Sequence, residues 1–448
     1  MDIQALRAVD MLPRPPTVGT RPVSGGRVRK FVLAVLTGML ALLALLLVTP
    51  AASAAGETIQ GRLRNGTEPV VGASVSVKGP DGAELGKADS GPDGVFVIPV
   101  PGPGSYTVTL DEKSLPDGVR ISAGDKAQVT LIVNPAQQRN VLFPLGKGRL
   151  VATSSQLGRV VQLAVEGLNF GLIIALAAVG LSLIYGTTGL VNFAHGELIT
   201  LGGLLGYLFN VRLGLPFLLA APLAVVLAAL LGGLQDRGLW RPLRRRGTGL
   251  IAMLVVTIGL ALFARGLFLY VFGGSSRPYA NYQGQVAKSY GPFALADKDI
   301  ASMAICTLVL LAFGFMLLRT RIGKATRAVA DNPALAASSG IDVERVISTV
   351  WVAGAGLAGL AGVMLGLSQQ VSFQMGFQIL LLVFAGVTLG GLGTAFGALL
   401  GSVVVGVFTQ VSTVIVPPEL KNAGALVILI LILLVRPQGI LGRRERVG

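Results

Sequence analysis

Three polar side chains that could bind a solute or exchange a proton lie within six residues of one another, inside an otherwise apolar stretch. They are Asn192, His195 and Glu197, with Gly196 between the last two. Burying an ionisable group in a bilayer costs at least about 2.5 kcal/mol, so such residues usually face a cavity or a polar partner. Two interpretations are open: the cluster lines a route and contacts solute or water, or it holds a broken helix by capping and hydrogen bonding.

Catalytic and metal chemistry have no matching pattern in the sequence. No nucleophile–base pair accompanies the cluster, and no Gly-x-x-x-x-Gly-Lys-Ser/Thr loop could hold a phosphate. One cysteine, Cys306, excludes an intrachain disulfide and a cysteine-based metal cluster, and one histidine excludes a His-rich metal site. We expect no enzymatic activity, no bound cofactor and no metal in this chain.

The composition places most of the chain in a bilayer. Its 448 residues are 52% hydrophobic and 13% charged, where a soluble domain carries about 25% charged residues. The net charge of +15 divides into +4 for residues 1–56, zero for 57–149 and +11 for 150–448. The excess charge therefore lies beside apolar segments, as the positive-inside rule predicts, and nucleic-acid binding is not expected.

The elements that must position the polar cluster are membrane helices. Nine spans are predicted, several shorter than the ~20 residues of a straight crossing and therefore broken or re-entrant: 161–185, 190–209, 216–236, 249–272, 300–318, 348–370, 379–393, 397–416 and 423–436. Arginines concentrate in the loop after the third span, after the fifth span, and in the tail. This alternation predicts a cytoplasmic C-terminus.

The region before the spans has two parts. Residues 1–55 have a basic tail, an apolar run from Phe31 to Val48 and small residues at Ala52-Ser53-Ala54, which indicates a cleaved signal peptide or an uncleaved signal anchor. Both place the following residues outside the cytoplasm. Residues 56–147 predict a small all-β domain, because apolar and polar residues alternate at 73–77, 95–98 and 106–110 between Pro/Gly turns. This stretch resembles the carboxypeptidase regulatory-like β-sandwich.

Residues 158–442 resemble the permease subunits of the ATP-binding-cassette importers for branched-chain amino acids. Three motifs carry the resemblance in order: Gly180-Leu-Ser-Leu-Ile-Tyr-Gly186 followed by Asn192-Phe-Ala-His-Gly-Glu197, then Phe384-Ala-Gly-Val-Thr-Leu-Gly-Gly-Leu-Gly-Thr394, then Leu434-Val-Arg-Pro-Gln-Gly-Ile-Leu-Gly442. The β-domain is an addition to the minimal permease.

The resemblance implies a transport subunit that works by alternating access in the bacterial plasma membrane. The implied partners are a second permease, two ATP-binding subunits that hydrolyse ATP, and an external solute-binding protein. A branched-chain or other hydrophobic amino acid is the implied solute, with urea or a short amide as the alternative within the family. An ion-coupled secondary transporter is a weaker alternative, because carboxylates inside the spans are few.

The family has a cytoplasmic coupling loop with a Glu-Ala-Ala…Gly motif, which corresponds here to residues 334–340. Gly340 fits the motif, Ala334 stands at the glutamate position, and Ala336 lies between them; Arg327 and Asp331 precede the loop. Asn332-Pro333 predicts a break into a new short helix.

Two further expectations concern packing. Glycines repeat at four-residue spacing, for example Gly202/Gly206 and Gly386/Gly390, which favours closely packed helices over a pore lining. Glu166 and Arg265 lie at similar predicted depth, so they could pair with each other. The competing interpretation is that Arg265 extends outward and Glu166 faces water.

Overall fold

The structure is a computed structural model. It describes residues 57–65, 68–121, 127–133, 138–141, 143, 145, 156–280, 282, 285, 287–416, 426, 427, 430 and 434. The expected signal segment at 1–55 lies outside the described residues, as does most of the expected ninth span at 423–436 and of the last family motif.

Among the described residues, nine β-strands precede the first long helix. They are β1 Thr58–Arg62, β2 Arg64–Asn65, β3 Glu68–Pro69, β4 Ser74–Lys78, β5 Glu84–Asp89, β6 Val95–Pro99, β7 Gly104–Leu110, β8 Gln128–Val133 and β9 Gln138–Val141. The three alternating stretches of the sequence coincide with β4, β6 and β7, so these predicted strands are confirmed. Alternation produces strands here because one side of each strand must be apolar to enter a core.

Two main sheets share one hydrophobic core. One has the order β5-β4-β7-β8 and is antiparallel; in the other, of order β6-β1-β9, β1 pairs antiparallel with β6 and parallel with β9. The core contains Val75 and Val108 from the first sheet and Ile59 and Phe96 from the second, each at most 1% exposed. The described part of this region is therefore all-β, as expected.

Helices make up most of the remaining chain. They are α1 Gln156–Thr188, α2 His195–Tyr207, α3 Phe217–Gln235, α4 Arg241–Arg245, α5 Leu250–Phe272, α6 Asp297–Arg319, α7 Arg321–Asp331, α8 Pro333–Ser338, α9 Val343–Gln369, α10 Met375–Gly390 and α11 Ala395–Val411. A hairpin of β10 Lys288–Tyr290 and β11 Phe293–Leu295 precedes α6.

Six helices among the described residues are long and apolar enough to cross a membrane: α1, α3 together with α4, α5, α6, α9, and α11 with the turn that follows it. Of the nine expected spans, the one at 423–436 lies mostly outside the described residues, and two others correspond to helices too short to cross, α2 with 13 residues and α10 with 16. The span expected at 190–209 is not continuous, since its helix begins at His195 and ends in a π-helical turn at Leu208–Arg212.

The bundle has central and peripheral helices. In the most apolar 18 residues of each helix, the buried share is 89% in α1 and 83% in α9, but only 17% in α5 and 22% in α6. Glycines allow the central contacts: a Cβ at Gly202 would overlap the backbone of Gly359 on α9, and one at Gly386 would overlap Ser402 on α11. The close-packing role predicted for the glycines is confirmed at these positions.

Candidate functional site

The polar cluster lies where the chain turns back along α1. His195 Nε2 is 2.9 Å from the carbonyl oxygen of Ala177, which lies eleven residues before the end of α1 at Thr188. At ~1.5 Å per residue, that level is about 16 Å from the end of α1. Residues 189–194 therefore run back beside α1, and α2 begins inside the bundle rather than at its surface. The predicted broken helix is confirmed.

Asn192 and His195 form the turn that starts α2. Asn192 Oδ1 accepts a hydrogen bond from the amide of Ala194 at 3.0 Å, and the amide of His195 donates to the carbonyl of Asn192 at 3.3 Å. Both side chains are fully buried. Since a carbonyl oxygen only accepts, His195 Nε2 carries the hydrogen of its bond to Ala177. Asn192 Nδ2 and His195 Nδ1 have no partner among the described residues.

Glu197, in the first turn of α2, pairs with Arg265 of α5. Arg265 donates from Nη2 at 2.9 Å and from Nε at 3.2 Å to Glu197 Oε1, and its Cζ lies 3.6 Å from the ring centre of Phe377. The Glu197 side chain is 5% exposed and that of Arg265 is 20% exposed. Glu197 Oε2 has no partner among the described residues. The negative charge of Glu197 on α2 is thus compensated by Arg265 on α5, a peripheral helix.

Arg265 does not pair with Glu166, which was one of the two possibilities that the sequence left open. Glu166 Oε1 instead accepts a hydrogen bond from Gln162 Nε2, at 2.7 Å. Arg265 also turns inward rather than extending outward, because the start of α2 inside the bundle brings Glu197 to its level. A continuous span at 190–209 would have kept Glu197 near the opposite surface.

One stripe of α5 contacts the start of α2. Met253, Thr257 and Ala261 are buried, and Arg265 continues the same four-residue spacing. Thr257 Oγ1 accepts a hydrogen bond from the amide of Phe193 at 3.2 Å. Sequence reasoning missed Thr257. It lies two helical turns before Arg265 on an apolar helix, and this spacing is a signal that the two side chains share a face.

Gly196 is the point at which two helix starts meet. A Cβ at Gly376, the second residue of α10, would overlap the carbonyl oxygen of Gly196. Thr200 Oγ1 accepts a hydrogen bond from the amide of Gly376 at 3.1 Å. The short segment before α10 contains Gln370, whose φ of 73° is unusual for a residue with a side chain. The N-termini of two short helices therefore converge inside the bundle, beside the Glu197–Arg265 pair.

The residues of the predicted coupling loop form a separate group. Asn332 ends α7 and caps α8, since its Oδ1 accepts from the amide of Leu335 at 3.0 Å, which confirms the predicted break. Of residues 331–340, all are exposed except Ala336, so Asp331, Ala334 and Gly340 lie at the surface; Arg327 on α7 is also exposed. Gly340 has a φ of 84°, which favours glycine.

Buried ionic residues at the end of α3 escaped sequence reasoning. Asp236 is fully buried, and Arg244 Nη1 donates to its Oδ1 at 2.9 Å. Arg244 Nη2 also donates to Glu344 Oε2, at 3.2 Å, in the first turn of α9. The arginines of this loop had been assigned to the positive-inside rule alone. An aspartate at the end of an apolar helix and beside several arginines was the available signal.

Comparison with known proteins identifies relatives of the helical part. A family profile described as "Branched-chain amino acid transport system / permease component" matches residues 163–435, more than half of the chain. The permease protein LivH of the high-affinity branched-chain amino acid transport system of Escherichia coli K12 is 33% identical over 307 residues, which cover 65% of this chain and 98% of LivH.

Two further relatives carry similar descriptions. The permease protein BraD of the high-affinity branched-chain amino acid transport system of Pseudomonas aeruginosa is 30% identical over 310 residues, which cover 63% of this chain and 96% of BraD. The permease protein LivM of the Escherichia coli K12 system is 26% identical over 302 residues, which cover 60% of this chain and 68% of LivM.

Proposed function

The chain belongs to the family of permease components of branched-chain amino acid transport systems, and we infer that it is the membrane-embedded permease subunit of an ATP-driven amino acid importer. The observation that carries this inference is the match of the family to the helical part, including the Asn192–Glu197 turn. The converging starts of α2 and α10 support it, because transporters commonly place solute contacts where half-helices begin near the middle of the membrane.

The solute is a branched-chain or other hydrophobic amino acid. The descriptions of LivH and BraD support this assignment. An amino acid carries an α-carboxylate and an α-ammonium group. These two groups need polar partners inside an apolar bundle. The cluster of Asn192, His195 and Glu197 can supply them, because three of its buried polar atoms have no partner among the described residues.

The chain works with other polypeptides. A second permease completes the channel, which the similarity to both LivH and LivM supports. Two ATP-binding subunits hydrolyse ATP, since the sequence has no phosphate-binding loop. They dock on the coupling loop, where the exposed surface of residues 331–340 supports the role of Ala334 and Gly340, and Ala336 is the buried residue of the short helix between them. A solute-binding protein delivers cargo from outside.

The chain is a multi-pass protein, and we propose the bacterial plasma membrane as its location. We propose nine crossings, in two of which the short helices α2 and α10 span only part of the membrane. Because the chain enters from outside, an odd number of crossings places the C-terminus in the cytoplasm. The basic loops 237–246 and 319–327 then face the cytoplasm, in agreement with the positive-inside rule. The β-region lies outside, preceded by the signal segment, and its two-sheet core is compatible with the carboxypeptidase regulatory-like fold.

Uptake in cells tests the solute assignment. A strain from which this chain is deleted is compared with the complemented strain for accumulation of labelled leucine, with isoleucine, valine and urea as competitors. We expect the deletion to abolish the high-affinity component, and isoleucine and valine but not urea to compete. Leucine uptake unchanged by the deletion, or competition by urea alone, would contradict the assignment.

A further inference from the structure

An ionic cluster joins the end of α3 and α4 to the first turn of α9, and its α9 member, Glu344, directly follows the coupling loop in the chain. Its members are Asp236, Arg241, Arg244 and Glu344. Arg244 bridges two carboxylates, Asp236 at 2.9 Å and Glu344 at 3.2 Å. Arg241 Nε lies 3.0 Å from Glu344 Oε2, which is ion-pair range, although its N–H is not directed at the oxygen.

The cluster rests on a rigid platform. Trp240 and Trp351 are fully buried and stack with ring centres 5.6 Å apart at an interplanar angle of 18°. Trp351 lies seven residues after Glu344, two turns along the same face of α9. A Cβ at Gly232 of α3 would overlap the side chain of Ala355 on α9. The two helices are therefore held together at Gly232 and Ala355, three turns along α9 from Glu344, so that relative movement is confined to the first turn of α9.

The polar bonding of the cluster is incomplete in this conformation. Asp236 Oδ2, Arg244 Nε and Gln235 Oε1 are buried and have no partner among the described residues. A buried hydrogen-bond network with unsatisfied members is costly. Here the free donor, Arg244 Nε, and the free acceptors, Asp236 Oδ2 and Gln235 Oε1, permit a second bonding arrangement among the described residues. The guanidinium fork of Arg244 can therefore exchange partners between α3 and α9 when the first turn of α9 moves.

Glu344 is placed to sense such a movement. It lies four residues after Gly340, whose positive φ ends the exposed segment 331–340, and two residues after Asp342, which caps α9 by accepting from the amide of Arg345 at 3.0 Å. A force on the exposed segment reaches α9 through this turn. Arg244 is then the first side chain to carry the force across to α3.

We propose that Arg244, bridging Asp236 and Glu344, is a positioning residue that couples movement of the coupling loop to α3 and so to the bundle. This inference rests on the proposed function, because it requires an ATP-binding subunit that acts on residues 331–340. The roles of the four residues differ. Asp236, directly after α3, and Arg244, on α4, anchor the cluster at the end of α3; Glu344 connects it to α9, and Arg241 forms the second ion pair with Glu344.

The test uses the complete complex in proteoliposomes, and it measures ATP hydrolysis and leucine uptake in the same preparation. Glu344→Gln removes the charge of the α9 partner. Arg244→Lys keeps a positive charge beside buried Asp236 but removes the planar fork whose two ends donate to Asp236 and Glu344 at once. Arg245→Gln, at an exposed neighbouring arginine, is the matched control, and Glu344→Asp retains the carboxylate.

We expect Glu344→Gln and Arg244→Lys to assemble and hydrolyse ATP while the solute transported per ATP falls about tenfold, the scale of losing a charge-assisted hydrogen bond. Arg245→Gln should match the unaltered complex, and Glu344→Asp should retain most of the ratio of solute transported to ATP hydrolysed.

An unchanged ratio in both Glu344→Gln and Arg244→Lys overturns the proposal. So does a proportional fall of hydrolysis and uptake together with a lowered melting temperature, since that indicates a purely structural cluster. Failure of the proposed function is distinguishable, because the unaltered complex would then show no ATP-dependent uptake.

Discussion

Charge compensation at the start of α2 depends on the guanidinium group of Arg265, which reaches inward from a helix that is otherwise mostly exposed. Glu197 is 5% exposed, so its carboxylate has lost most of its contact with solvent and relies on Nη2 and Nε of Arg265. His195 and Asn192 add bonds to Ala177 and Ala194. The cluster therefore both holds the helix break and keeps beside it polar atoms that have no partner among the described residues.

Removing one member of the charge pair should destabilise the protein more than removing both. Arg265→Met leaves Glu197 buried without its partner and should cost about 3–5 kcal/mol in the free energy of unfolding. Adding Glu197→Gln removes the uncompensated charge and should restore most of that loss. Unfolding of the detergent-solubilised subunit measures both, with Arg245→Gln as the control at an exposed arginine. A double variant as unstable as the single variant would contradict the pairing.

The hydrogen bond from His195 to Ala177 predicts that substitutions at His195 differ in stability according to whether they keep a donor. Gln can place its Nε2 donor near the position of His195 Nε2, whereas Leu cannot, so His195→Gln should retain more stability than His195→Leu. We expect His195→Leu to cost about 1–3 kcal/mol, because it removes a fully buried bond to the Ala177 carbonyl. Thermal unfolding of the two variants side by side checks this, and equal melting temperatures would contradict it.

The partner of Arg265 was not predictable from the sequence for a physical reason. Depth was deduced from the ends of apolar runs, and a run at 190–209 places Glu197 near one surface and Arg265 near the other. The backward path of residues 189–194 depends on contacts with α1 and α5 that lie far apart in sequence. The polar types and their buried setting were predicted, but the contacts between them were not.

At the scale of elements, two short helices distinguish this bundle from a set of plain spans. α2 and α10 both begin inside it, and their first turns touch at Gly196 and Gly376. The sequence predicted that some spans are broken, because polar residues and glycines interrupt the apolar runs, and it predicted the break at Asn332-Pro333. It could not fix where α2 begins, since residues 189–194 are as apolar as the helix that follows.

A methyl group at the meeting point of the two helix starts should separate them. Gly376→Ala introduces a Cβ that overlaps the carbonyl oxygen of Gly196, whereas Gly266→Ala on α5 places a Cβ in open space. Overpacking of this kind costs about 1–3 kcal/mol, while an exposed helical glycine replaced by alanine gains up to about 1 kcal/mol. Unfolding of the isolated subunit measures the difference. A Gly376→Ala variant as stable as Gly266→Ala would contradict the close contact.

At the scale of the whole molecule, an all-β region and a helical bundle share one chain but have different charge. Residues 57–149 are electrically balanced, while residues 150–448 carry +11. The family match begins at residue 163, after β9. The β-region is therefore an addition to the part that the relatives share, and transport chemistry belongs to the bundle.

The external location that we propose for the β-region gives a topological prediction. Protease added to intact spheroplasts should remove residues 57–145 and leave the helical part in the membrane, because the region follows the expected signal segment and residues 57–149 are charge-balanced. Immunoblotting with epitopes at both ends detects the cleavage, and spheroplasts lysed before digestion provide the control. Protection until lysis would reverse the proposed topology.

The most direct test of the central claim is leucine uptake by purified components. Proteoliposomes that contain this chain and its second permease are prepared with and without the two ATP-binding subunits, and supplied with the solute-binding protein outside and ATP inside. The account predicts labelled leucine accumulation only when the ATP-binding subunits and ATP are both present. Accumulation by the permease pair alone, or accumulation driven by an ion gradient without ATP, would contradict it.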